Sequence, residues 1–413
     1  MELSQAIQIV GSEVQLHGRS DADVLYGVTA KLNSATTKSL REVAGLHGGV
    51  VLRPFQALHL LSIATKPHYQ DDLFDRYVQW GLLRYLGLFE LVGPAHPLPG
   101  LGISEAGQRI SGNQRRVTSE EMGIGFGAFL AIRWFQQVVG DAVPISVVDV
   151  DVALDERYVF AAGTRYAVRA GGARRPDYLI IANDPTVRRH YRVRALECKG
   201  TSRAWYAMWQ LASAAEQLAG ITVGGRVPTG IAVSTITANE GVSYLAIDPE
   251  DDEEPSYEVN SDTIEQSVGF QLPDEERADV SPAEFTNASL RASWATLADF
   301  GGNLQALERW APAVMRRRLD RQPRERVSFD TPFGSARGTS ATFGFGGQQL
   351  RVNYAIAQTV DQRLSQANAE AIIDTQVSFA QLLARSQVPA QQTDSNNLYS
   401  ATPDGSIFHL SLE

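Results

Sequence analysis

Asp177, Glu197 and Lys199 have the types and the spacing to hydrolyse a phosphodiester. Residues two apart in a strand share a face, so Glu197 and Lys199 point the same way and Cys198 points to the other. The short "NDPT" stretch between "PDYLIIA" and "YRVRALECK" predicts a hairpin that brings Asp177 beside Glu197. Two carboxylates on adjacent strands suit a hard divalent cation, Mg2+ or in its place Mn2+, because such ions prefer oxygen ligands and keep bound water. A cation held there polarises a phosphate and lowers the pKa of its water. Lys199 would orient that water and offset charge building on the phosphate, a task for a compact ammonium. The chain has 33 Arg and only 4 Lys, so a lysine at this position stands out against the composition.

The surroundings are basic. From Ala161 to Arg203 there are nine arginines and one lysine against Asp177, Asp184 and Glu197, in a chain whose net charge is −10. The whole molecule is therefore not a general nucleic-acid binder, but this stretch offers Arg174, Arg175, Arg188, Arg189, Arg192 and Arg203 as contacts to a phosphate backbone. Simpler roles stand beside these. Asp177 could open its strand as a partner of Arg175, Glu197 and Lys199 could form a same-face ion pair, and Cys198 reads as core rather than nucleophile.

The elements that must position these residues read as helix, strands, helix, strands. "TSEEMGIGFGAFLAIRWFQQ" has capping-box spacing from Thr118 to Glu121 and glycines at 123, 125 and 127 that permit close packing. "PISVVDVDVAL" alternates like a half-buried strand, with Asp149 and Asp151 on its solvent face. The two motif strands follow, then the helix "RAWYAMWQLASAAEQLAG" and the strands "TGIAVSTIT" and "VSYLAID".

Pro176-Asp177 followed by Glu197-x-Lys199 on the next strand, between an acidic helix and a Gln-bearing one, resembles the PD-(D/E)XK nuclease superfamily. The resemblance covers about residues 118 to 250. It implies an α/β, restriction endonuclease-like fold, a mixed sheet flanked by helices, and Mg2+-dependent cleavage of DNA, most simply as an endonuclease. It also implies a Glu from the first core helix as a third ligand, here Glu121 or Glu120, and a polar residue on the later helix, Gln210 or Gln217, near the site. The Gln-x-x-x-Tyr form of some branches is absent. A role in restriction or anti-phage defence, with a homodimer or a defence-system protein as partner, is the family-level expectation.

Residues 1–115 read as a mainly helical accessory region whose end, "GISEAGQRI" after a Pro- and Gly-rich loop, is similar to a winged-helix module; a helical cap packed on the core is the other reading. The stripe Leu73, Tyr77, Trp80 and Leu83 marks one of its helices. Residues 116–255 form the nuclease-like core, closed by the acidic run 248–255 as linker or solvated loop. Residues 256–413 form an α+β accessory or interaction region: helix over 283–319, a Gly-rich hairpin, a helix near 360–386, and a terminal hairpin with an Asp-Gly turn. With one cysteine, no disulfide is available, and "MELSQAIQIV" lacks the basic region and apolar core of a signal peptide, which predicts a reducing cytoplasm. The longest uncharged apolar stretch, 122–132, is too short to span a bilayer, so no membrane partner is expected. Two other functions remain open: a catalytically silent nuclease-fold module that binds nucleic acid, and an assembly subunit.

Overall fold

The structure is a computed structural model that describes the chain except residues 1, 34–38, 66–73, 95–96, 155–157, 162–163, 171–173, 250–255, 266–274, 278, 313–314, 317–324, 346, 367 and 387–395. The amino-terminal part contains α1 (Leu3–Gly11), β1 (Val14–Arg19), α2 (Ala22–Thr29), β2 (Leu40–Arg41), β3 (Val50–Leu52), α3 (Pro54–Ala64), α4 (Phe74–Tyr85), β4 (Phe89–Val92), β5 (Gly100–Ile103) and α5 (Glu105–Gln108). The middle part contains α6 (Gly112–Val139), β6 (Ile145–Asp149), α7 (Val150–Ala153), β7 (Tyr158–Ala161), β8 (Thr164–Ala167), β9 (Arg169–Ala170), β10 (Tyr178–Asn183), β11 (His190–Thr201), α8 (Ala207–Leu218), β12 (Ile221–Thr222), β13 (Gly230–Ala238) and β14 (Gly241–Pro249). Then come β15 (Tyr257–Glu258), α9 (Ser261–Glu265), β16 (Glu275–Arg277), α10 (Pro282–Phe300), α11 (Leu304–Trp310), β17 (Val327–Thr331), β18 (Gly334–Phe345), β19 (Gln348–Ala357), α12 (Gln358–Gln366), α13 (Ala369–Arg385), β20 (Asn397–Ala401) and β21 (Ser406–Leu412).

One large mixed sheet organises the molecule, in the order β4-β5-β1-β14-β13-β11-β10-β6. β10 runs antiparallel to both β6 and β11, whereas β13 runs parallel to β11. A parallel neighbour needs a crossover, and α8 supplies it. The amino-terminal strands continue this sheet: β1 pairs in parallel with β14, and the hairpin β4-β5, the stretch likened to a wing, joins through β1. Among the described residues no helix is long and apolar enough to cross a membrane.

The period of two divides the burial. Tyr178, Ile180, Leu196, Cys198 and Val233 pack on one face with α6 and α3 residues such as Phe126 and Phe55. On the other face Ala195, Ala232 and Ile236 pack with Leu211, Ala214 and Leu218 of α8 and with Val24 and Val28 of α2. Farther along that face, Leu179, Ile181 and Val193 share a core with Trp294 and Leu297 of α10. The sheet is thus covered by helices on both faces.

Against α6 the backbones come close. A Cβ on Gly123 would stand 2.7 Å from the Lys199 carbonyl oxygen, and one on Gly200 would fall on the Ser119 carbonyl. Glycine is required at both, because backbone rather than a movable side chain fills the space. Ser119 also bonds Thr237 across the crossing at 2.7 Å.

Several expectations change. α6 begins at Gly112, with Ser111 at its N-cap, so Thr118 and Glu121 are interior residues and not a capping box. Their spacing matched a cap because position i+3 recurs throughout a helix. "VVDVDVAL" is strand only to Asp149, whose side chain accepts from the Asp151 N–H and caps α7. Trp80 is half exposed with its ring 4.3 Å from the Arg84 guanidinium, so it belongs to no buried stripe; the side chains of Leu73, Tyr77 and Leu83 lie outside the described residues. Of the acidic run, 248–249 end β14 and the rest lies outside the described residues.

The carboxy-terminal part is α+β. Its sheet, β17-β18-β19-β21-β20, is antiparallel throughout; the stretch expected as one Gly-rich hairpin forms the three strands β17-β18-β19, and β19 pairs with β21 of the terminal hairpin. The helix expected near 360–386 is two, α12 and α13. β20-β21 is the Asp-Gly hairpin, with Gly405 at φ +105°, and the buried Asp404 carboxylate accepts from the Ser406 N–H at 3.0 Å. Trp294 and Trp310 pack edge-to-face at 4.9 Å between the helices, and each indole N–H finds an acceptor, Gln376 and the Leu364 carbonyl respectively.

Candidate active site

The β10-β11 register sets Tyr178 opposite Leu196, and one step farther Asp177 comes opposite Glu197. Both carboxylates therefore lie on the α8 face, away from α6. The Asp177 N–H donates to Glu197 Oε2 at 2.9 Å, and the Lys199 ammonium donates to Glu197 Oε1. Asp177, Glu197 and Lys199 are together, as strand phase and the hairpin required.

Glu197 is 0% exposed, Asp177 is half-buried, and the Lys199 side chain keeps 23% of its surface. Burial first, then the neighbouring Asp177 charge, pushes the Glu197 carboxyl up to about 8, against the opposing pull of Lys199. Two carboxylates held this close in a dry place are a strained donor set unless positive charge joins them. Cys198 lies on the opposite face, 2.6 Å from where a Gly127 Cβ would be, and burial raises its thiol well above the ordinary value. It is core and not a nucleophile.

α8 reaches the site through Gln210. Its Nε2 donates to the Gly200 carbonyl at 3.1 Å, and its Oε1 accepts from Ser234 Oγ at 3.3 Å. Ser234 stands beside Lys199 in the β11-β13 register, so Gln210 lies over the same face next to the lysine. Gln217 is buried farther along, its amide 3.5 Å from the Arg175 carbonyl. Ser234 was not singled out from the sequence. Its signal was a hydroxyl in the apolar run "GIAVSTIT", which gains meaning only with the register.

The expected third carboxylate does not join the pair. Glu121 is held by Arg84, 2.6 Å from its Oε2, and by the Tyr85 hydroxyl; Arg84 also reaches Thr118 Oγ1 at 3.3 Å. This network ties α4 to α6 and gives Glu121 a structural role. Glu120 is exposed and lies 3.9 Å from Arg116. Among the described residues no three of His, Cys, Asp and Glu group as metal ligands, which leaves Asp177 and Glu197 as the candidate pair. Asp149 lies opposite Tyr178, in phase with the α6 face, and Asp151 pairs with Arg175, so neither joins the site; Arg175 accordingly partners Asp151 and not Asp177.

Most of the basic stretch is also spoken for. Arg189, at φ +62°, binds Glu370 on α13, and Arg188 lies 3.4 Å from Glu370 and 3.6 Å from Asp374. Arg192 bonds Asp184 at 2.9 Å. Burial would raise the Asp184 carboxyl, but hydrogen bonds from Thr186, Ser256 and Arg192 hold it far below the carboxylate range. Arg194 is buried over the rings of Trp134 and Phe135, 4.5 Å from each. Arg174 and Arg203 are exposed, and among the described residues neither pairs with a carboxylate.

A charge that already has a protein partner releases fewer counterions when phosphate arrives. Any oligonucleotide binding by the chain is therefore expected to lose about one unit of salt slope in Arg203→Ala and none in Arg188→Ala with Arg189→Ala. Fluorescence anisotropy of a labelled oligonucleotide across a salt series reads both.

No family model matches the chain, and no curated protein or solved structure matches it.

Proposed function

We propose that the protein is a metal-dependent nuclease whose centre is Asp177, Glu197 and Lys199. The observation that carries this reading is the enclosed Glu197 carboxylate, set against a second carboxylate and an ammonium on one face of a sheet. The α/β architecture, a mixed sheet between helices, fits the nuclease superfamily that the motif resembles.

The donor set fits a hard divalent cation. Asp177 and Glu197 would hold it, and its charge would offset both the burial and the mutual repulsion that raise Glu197. Magnesium is commonly held by one or two carboxylates with substrate phosphate and water completing the shell, so a third protein carboxylate is not required. When bound, Mg2+ or Mn2+ supplies Lewis acidity toward a phosphate oxygen and a water of lowered pKa. Lys199 carries a proton at Nζ and a positive charge beside the carboxylates, positioned to orient water and to offset charge on the phosphate. Gln210 fixes the end of β11 through the Gly200 carbonyl and so holds Lys199 in place. The glycine crossing at Gly123 and Gly200 clamps the same strand from behind.

Incubation of supercoiled plasmid and linear duplex or single-stranded DNA with the purified chain tests the reading. Cutting is expected with Mg2+ or Mn2+ and none with EDTA. A second reading, a silent module on the same fold, is favoured by the engagement of Glu121 with Arg84 and of Arg188 and Arg189 with α13. It predicts oligonucleotide binding without turnover in either metal.

A further inference from the structure

The chain leaves β11 by a turn in which the Arg203 N–H donates to Thr201 Oγ1 at 3.1 Å, and passes through one 3-10 turn, Ala204–Tyr206, into α8. α8 buries Ala207, Leu211, Ala214, Ala215 and Leu218, one stripe at helical spacing. Trp205, Tyr206 and Trp209 lie off that stripe and are 67%, 43% and 48% exposed. Three large exposed aromatic residues within five positions of the chain mark a candidate binding surface.

Their surroundings indicate the occupant. Trp205 and Tyr206 stand edge-to-face at 5.5 Å, and the Lys31 ammonium lies over the Trp209 ring at 5.5 Å. Exposed Arg203 precedes them. The carboxylates of the neighbouring helices are engaged elsewhere: Asp21 and Asp23 by Arg19, and Glu216 by the Asn33 N–H. The patch thus combines indole faces with cations. Gln210, the residue after Trp209 in α8, is bonded to the carbonyl of Gly200, the residue after Lys199, so the helix that carries the patch also reaches the candidate active site.

We propose that Trp205, Tyr206 and Trp209 form a stacking platform for unpaired bases, so that the substrate of the neighbouring site is a single strand or a strand with an unpaired segment. This rests on the nuclease reading for the word substrate, though not for the binding. A duplex hides its base faces, whereas a single strand presents them. In a molecule of net charge −10, with most local arginines paired, stacking supplies affinity that a charge belt does not.

The test is a titration in EDTA, which prevents cleavage, of labelled oligo(dT), oligo(U) and a duplex of equal length. The proteins are wild type and Trp205→Ala with Trp209→Ala. The double variant is expected to lose single-strand affinity by about tenfold or more while duplex affinity stays the same. The ratio of oligo(dT) to oligo(U) affinity assigns DNA or RNA. Unchanged single-strand affinity, or equal loss on duplex, overturns the platform; so does a variant that changes only the mass in light scattering, which would mark a protein contact. Binding that depends on the two indoles, in a protein that never cuts with Mg2+, would count against the nuclease reading alone. Cutting without such binding would count against the platform alone.

Discussion

Glu197→Gln is expected to lower Mg2+-dependent cleavage by about a thousandfold or more, and at the same time to raise the melting temperature of the metal-free protein. The two effects have one cause. A carboxylate with no exposed surface, opposite a second carboxylate, is costly to keep charged, and Lys199 repays only part of that cost. Glutamine keeps the shape and an acceptor for a neighbouring donor but removes the charge. The sign with pH follows from linkage. The folded-state value of about 8 lies above the ordinary 4.5, so the cost is absent below about pH 4.5, grows as pH rises, and is complete above 8. The gain in melting temperature, about 1–3 °C, is therefore expected at pH 8.5 and should vanish near pH 4. Lys199→Ala behaves oppositely in stability, because it strips Glu197 of its counter-charge, and alike in activity. Thermal melts of the three proteins at both pH values, beside a cleavage assay, check the pattern. A Glu197→Gln variant that melts lower than wild type at pH 8.5 would identify the pair as a structural ion pair.

Gly200→Ala is expected to destabilise the fold by about 3 kcal/mol or more and to lower the melting temperature by about 5 °C or more. The new methyl would land on the Ser119 carbonyl oxygen, with Ser119 carbon 2.5 Å away and the Glu120 nitrogen 3.0 Å away. All three are backbone atoms of α6, so no side-chain rotation relieves the clash. Either β11 or α6 must shift, and Lys199, the preceding residue, moves with the strand. Activity should therefore fall more steeply than stability alone explains. Gly112→Ala is the control: its Cβ meets nothing within 4 Å at the start of the same helix, and its melting temperature should match wild type. Equal melting of Gly200→Ala and wild type would mean that the helix does not cross the strand as closely as described.

What the sequence conveyed about the site was local. Period-two phase alone put Glu197 and Lys199 on one face and Cys198 on the other, and a short connection between two apolar runs was enough to bring Asp177 alongside. The glycines of α6 signalled a close crossing for the same reason, since a bare Cα has few other uses inside a helix. What was not legible depends on partners far away in the chain. Nothing near Arg189 indicates that Glu370 will meet it, and nothing near Glu121 indicates Arg84 and Tyr85, so an arginine run and a well-placed glutamate looked available when they are engaged. The amino-terminal strands are two to six residues long and carry too little periodicity to show that they extend the central sheet. Trp205 and Trp209 lie in a stretch read only as a helix, because composition does not tell which side of α8 the sheet occupies.

Asp177, Glu197 and Lys199 form a nuclease centre only if they cut a phosphodiester. The most direct measurement follows plasmid and single-stranded DNA under single-turnover conditions with wild type and Asp177→Asn, each in Mg2+ and in EDTA. Strand cleavage by wild type in Mg2+ only, lost in Asp177→Asn while its fold and its oligonucleotide binding in EDTA are kept, is the predicted result. Cleavage that persists in Asp177→Asn, or that proceeds equally well in EDTA, would contradict the assignment of this pair as a metal-dependent nuclease centre.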